Sequence, residues 1–295
     1  MIGWDFLVFW QIGEAVLKGM NPYAVEFSRY PPAATLFFAL FALVPYLVAF
    51  GIWSGVSLVL YIDTLRRMGK TRQAILGWIF FTPTIFTFLT GQIDILFLWL
   101  GVWLTKGGWK AIAAGALLTL KPQLAVVIMP WFLIRWLMKD RPLLLKWAGV
   151  TLGLHLLPLL LDGEIYGKWI TALSGVSEMK VPLSSGLFSL TAVNVPVVIL
   201  GMVALGLALW GLTRDEATSR AALMLSNPLT IWYDDILLAG LAPVKVIVPF
   251  SWVMFGLAYF LNSSIPLALI PLAVLIWKVL PRKLPINEME GITGG

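Results

Sequence analysis

Seven nearly uncharged apolar runs, at about 46–64, 74–90, 94–105, 147–161, 193–212, 245–261 and 264–280, decide most of what this chain can become. A bilayer core of roughly 30 Å takes about 20 apolar residues per helix, so runs of this kind, repeated along the chain, name lipid as their solvent. With 60% of residues hydrophobic and 12% charged, an ordinary soluble domain is excluded. The 15 Trp fit the same environment, because indole rings settle at membrane interfaces. The expected fold class is an all-α polytopic integral membrane protein. Two further apolar segments, 111–134 and 221–243, are interrupted at Lys121-Pro122-Gln123 and Ser226-Asn227-Pro228. Proline removes a backbone donor and turns the residue before it away from helix, so both segments are expected to be broken, re-entrant hairpins.

Basic residues orient the chain. If the hairpins return to the face they left, 16 of the 21 Lys and Arg lie on the cytoplasmic side, four (Lys18, Arg29, Lys168, Lys180) outside, and Lys121 within the membrane. Most acidic residues then fall outside or at the outer tips of the hairpins, so chemistry is expected to face outward. One transmembrane domain is expected over 1–283, with long outer loops at 1–45 and 162–192 and a cytoplasmic tail at 284–295. In a polytopic protein the net charge of +6 reflects cytoplasmic loops rather than a nucleic-acid surface.

Residues 5–18 read as a short helix lying in the interface, with Asp5 at its N-cap and Gly19 and Asn21-Pro22 as its stop. A capping role and a catalytic one compete for Asp5: an outward carboxylate also serves as general base for a hydroxyl nucleophile. Lys121 is the most informative cation, since an ammonium in an apolar segment marks a functional site by default. Its place at a chain break suits the phosphate of a donor; pairing with a carboxylate, Asp94 first, is the competing reading. Gln92 in Gly91-Gln92-Ile93-Asp94 suits sugar hydroxyls, and Asp94 can pair with Lys121 or Arg29. Of Asp234 and Asp235, neighbours on a helix about 100° apart, only one is expected to face a cavity, and Asp234 is preferred. His155, between Leu154 and Leu156, reads equally well as a hydrogen-bonded packing histidine. No Cys, a single His, no Asp-rich motif and no Gly-rich phosphate loop leave no expected metal site or cofactor.

The ordered series Gly3-Trp4-Asp5-Phe6, Phe9, Gly19, Asn21-Pro22-Tyr23, Tyr30-Pro31-Pro32, Gly91-Gln92, Lys121-Pro122, Asn227-Pro228 and Tyr233-Asp234 resembles the polyprenol-phosphate-mannose-dependent mannosyltransferases, glycosyltransferase family 87. The resemblance runs over most of the chain. It implies a GT-C-type bundle in the cell membrane that takes a sugar, with mannose the expectation, from polyprenyl phosphate at the outer leaflet. Transfer to an outward-facing lipid or glycan acceptor inverts the anomeric centre and uses neither nucleotide sugar nor metal. The family's catalytic aspartate in the first outer loop maps onto Asp5. Lys121 and Arg29 are then expected at the donor phosphate, and Tyr23, Tyr30, Gln92, Asp94 and Asp234 around sugar and acceptor.

The resemblance also implies a transmembrane helix just before the catalytic aspartate, where this sequence has only residues 1–4. A partner protein's helix filling that position belongs to the competing reading, a non-catalytic scaffold subunit of a membrane complex. A transporter built on the two broken hairpins ranks last.

Overall fold

The computed structural model describes residues 2–174 and 185–280, so the expected tail at 284–295 and part of the expected outer loop at 162–192 lie outside the described residues. Fourteen α-helices and several short 3-10 turns make up the described residues, which contain no strand. Helix α1 (Trp4–Leu17) is capped by Gly3, which places Asp5 inside its first turn. That corrects the expected N-cap: Gly3 takes the left-handed conformation, and its N–H reaches the Leu89 carbonyl at 2.7 Å. Phe6, Phe9 and Ile12 face inward, and α1 packs on α2 (Pro32–Ala39). The approach is close at Gly13, where any Cβ would stand 2.2 Å from the Phe38 carbonyl oxygen.

Helix α3 (Tyr46–Arg67) is one of two helices among the described residues long and apolar enough to cross a membrane by itself. The other is α9 (Arg141–Leu156), extended by a 3-10 turn to Leu160. Their outer faces are apolar yet open, with Leu47 77% and Leu145 71% exposed, as helices facing lipid require. The expected continuous run at 74–90 is instead two helices, α4 (Arg72–Ile79) and α5 (Thr82–Thr90), bent by 62°. Pro83 in the first turn of α5 is the cause, since it fits a helix start and not a helix interior. The runs at 94–105 and 264–280 are helical within their expected bounds, but short. The first is α6 (Asp94–Leu104), 11 residues long. At 1.5 Å per residue such a helix reaches only about 16 Å, half a bilayer core. The second divides into a 3-10 turn and α14 (Leu269–Val279).

Both expected breaks are present. Helix α7 (Gly108–Leu118) stops before Lys121, whose φ of −129° and ψ of 83° are non-helical, and Pro122 opens α8 (Pro122–Lys139). After the short α10 (Ile165–Ser174) and the exposed, apolar α11 (Val197–Leu212), helix α12 (Glu216–Ser226) ends at the second break. There the chain turns through Asn227-Pro228 into a 3-10 turn, Trp232–Leu238, before α13 (Val244–Phe260). The breaks meet: the Asn227 side-chain amide donates to the Gln123 carbonyl at 2.7 Å. One apolar core runs from Phe6 to Leu275, with α6, α12 and the Trp232–Leu238 turn buried at its centre. The site is therefore assembled from chain breaks held inside a helical shell, where their polar groups must find partners within the protein.

Candidate functional site

Gly91 brings the two halves of the site together. It ends α5 in the left-handed conformation (φ +75°), and a Cβ there would lie 2.6 Å from the Phe6 Cβ. Helix α1 can thus lie directly over the residue that follows, Gln92. Replacing Gly91 with alanine forces an unfavourable φ and a clash, and is expected to destabilise the fold by about 1–3 kcal/mol. A thermal melt in detergent reads the loss, and activity should fall with it because Asp5 is lifted away from Gln92.

Asp5 is half-buried, and its carboxyl interacts by hydrogen bonds with the side chains of Gln92 and Thr90. Burial pushes its pKa above the ordinary carboxylate value, against the opposing pull of Gln92, Thr90 and the Lys121 charge. Gln92, itself buried, donates to the Tyr233 hydroxyl at 3.1 Å and accepts from the Lys121 ammonium at 3.4 Å. The same ammonium donates to Asp94 and, at 3.2 Å, to Asp234. Asp234 is held for this contact by its second oxygen, which accepts the Ile231 N–H at 2.7 Å. Asp94 gains further support from its position in the first turn of α6, where the helix dipole favours a negative charge.

These residues back a cavity of about 450 Å³ whose wall includes Asp5, Arg29, Tyr30, Gln92, Lys121, Gln123 and Tyr233. Phe27, also on the wall, takes φ +64°, a strained conformation for a bulky residue, in the turn that presents Arg29 and Tyr30. Tyr30 is fixed by ring contacts to Phe9 and Phe38, with centroids 5.3 and 5.1 Å away.

The expected residues do not all reach this cavity. Asp94 and Asp234 sit behind Lys121 with almost no exposure, away from the wall, so direct contact with a sugar is not what their geometry offers. Of the two readings for Lys121, carboxylate pairing is the one the structure displays: its three donors already meet Asp94, Asp234 and Gln92, leaving none for a phosphate. Asp94 pairs with Lys121 rather than Arg29. Asp234 and Asp235 diverge, Asp235 accepting from Ser185 at 3.1 Å, but neither lies on the cavity wall, where Asp234 was expected. Tyr23 lines a separate polar groove with Asn21, Glu164 and Lys168 and touches the cavity wall only through its hydroxyl, which donates to the Tyr30 carbonyl at 3.0 Å. His155 accepts or donates at Thr119 (2.8 Å), the packing role weighed for it. Trp4, Gln123 and Tyr233 were not expected on the wall, although each adjoins a residue that was: Asp5, Pro122 and Asp234. Among the described residues no cluster of three or more His, Asp or Glu side chains is placed to hold a metal.

No curated protein and no solved structure matches the chain. The family model of glycosyltransferase family 87 matches residues 27–233. That stretch begins at Phe27 on the cavity wall, contains Arg29, Tyr30, Gln92, Asp94 and Lys121, and ends at Tyr233; Tyr23 and Asp234 lie just outside it, and Asp5 lies 22 residues before it. More than half of the chain, including most of the wall with its buried lysine, is shared with one group of enzymes, and the chain belongs to glycosyltransferase family 87.

Proposed function

We propose that this glycosyltransferase moves a sugar, with mannose the expectation, from polyprenyl phosphate to a hydroxyl of an outward-facing lipid or glycan acceptor, with inversion. The observation that carries the reading is the pairing, on one cavity wall, of a half-buried carboxylate, Asp5, with a cation, Arg29. Asp5 takes the proton of the acceptor hydroxyl as its oxygen bonds to the anomeric carbon. The bond from that carbon to the phosphate oxygen breaks, and the guanidinium of Arg29 stabilises the departing lipid phosphate. Desolvation suits Asp5 to this task, because a raised pKa makes the carboxylate a stronger base.

Two neighbouring grooves support the lipid and acceptor assignments. One, of about 400 Å³ and almost wholly apolar, runs between α8 and α9 and is lined by Pro31, Pro122, Met129, Leu133, Trp147 and Trp169. Trp169 donates to the Arg29 carbonyl at 3.0 Å, so this groove opens beside the proposed phosphate contact and suits a polyprenyl chain. The polar groove at Tyr23 suits the acceptor. A catalytic reading is favoured over a scaffold by the cavity at Asp5, which a scaffold has no need to keep.

Arg29→Gln tests the phosphate contact. Loss of a charge-assisted hydrogen bond of about 1.5–3 kcal/mol should raise KM for polyprenyl-phosphate-mannose roughly 10- to 100-fold. An unchanged KM removes Arg29 from the donor site.

A further inference from the structure

Lys121, Asp94 and Asp234 form a fully buried ion triad where the two chain breaks meet the turn between α5 and α6, and the proposed reaction uses none of them directly. Burying three ions costs several kcal/mol of desolvation each before their attraction is counted, so an apolar trio would hold the fold at least as well. Gln92 touches the triad at Lys121 and also reaches Asp5.

We propose that the triad is a positioning device acting through Gln92: it fixes which way the Gln92 amide faces and so aims an N–H at the Asp5 carboxylate. The inference rests on Asp5 being the base. Lys121 has donors only, so the Gln92 oxygen must turn toward it. The amide nitrogen then faces the other way, with one N–H for the Tyr233 hydroxyl and one for Asp5. A flipped amide would set oxygen against carboxylate and N–H against ammonium, unfavourable at both ends. Gln92 is thereby a positioning residue that keeps Asp5 ionised and oriented toward the cavity. Besides Gln92 and Thr90, the charged or titratable groups around Asp5 are Lys121, Asp234, Tyr30, Tyr233 and, across the cavity, Arg29.

The test reads Asp5 itself, without substrate. Dicyclohexylcarbodiimide modifies protonated carboxyls in apolar surroundings, and peptide mass spectrometry gives the pH at which Asp5 labelling falls by half. Four proteins close a cycle: wild type, Gln92→Leu, the charge-free Asp94→Asn/Lys121→Met/Asp234→Asn, and the two combined. The triple variant leaves no unpaired buried charge, and a monodisperse detergent peak confirms that each protein folds. Gln92→Leu should move the labelling midpoint to higher pH, since a hydrogen bond that favours the carboxylate is gone. Neutralising the triad should move it further while Gln92 is present; in the Gln92→Leu background only the direct pull of the Lys121 and Asp234 charges on Asp5 is left to lose, so the effect should shrink. A midpoint unmoved by Gln92→Leu, or a triad effect of the same size in both backgrounds, overturns the proposal. Retained turnover in Asp5→Asn would instead strike the base assignment and leave this titration result intact.

Discussion

Asp5→Asn is expected to lower turnover by about 10²- to 10⁴-fold, the range general-base catalysis supplies, while the protein keeps its wild-type melting temperature. Asparagine fills the same volume and can still meet Gln92 and Thr90, but it cannot take the acceptor's proton. The measurement is initial-rate transfer of radiolabelled mannose from polyprenyl phosphate to an acceptor extract of membrane lipids. The wild-type rate should fall as pH drops, because protonated Asp5 is inactive. Desolvation raises the Asp5 pKa, so the fall should come at a higher pH than an exposed aspartate would give. A variant with near-wild-type turnover would show that another group accepts the proton.

The largest effect on stability is expected from Lys121→Met. Removing the cation leaves Asp94 and Asp234 buried and unpaired, and the loss of one partner from a buried ionic cluster costs about 3–5 kcal/mol. In detergent the unfolding midpoint should drop by on the order of ten degrees. Adding Asp94→Asn and Asp234→Asn should recover most of that loss, since the second pair of changes removes the charges the first left stranded. If the single variant melts with wild type, the triad is not the paired cluster described above.

The sequence is most legible where a break has a local cause. Lys121-Pro122 and Asn227-Pro228 announce their breaks, because proline acts on its own residue and the one before it. The bend between α4 and α5 is not legible even with Pro83 in view, since a proline that opens a helix and one that interrupts it look alike in a hydrophobic run. Asp5 falls in the helix expected for it, yet the cap belongs to Gly3, which needs the contact with Leu89 from 86 residues away to be understood. Residue type and context point to the site residues, but not to their mutual arrangement. That Lys121 faces two carboxylates at once depends on the Asn227 to Gln123 hydrogen bond bringing the two breaks together, a contact across 104 residues with no trace in either local pattern. Tyr233 is visible beside Asp234, but only the packed structure shows its ring beside Lys121 and its hydroxyl on Gln92.

The donor is the central claim, and one comparison tests it most directly: the purified protein offered radiolabelled mannose on polyprenyl phosphate or on a nucleotide, with the same membrane-lipid acceptor extract. Label should pass to acceptor from the lipid-linked sugar alone. Transfer from the nucleotide sugar, with none from polyprenyl phosphate, would contradict the account.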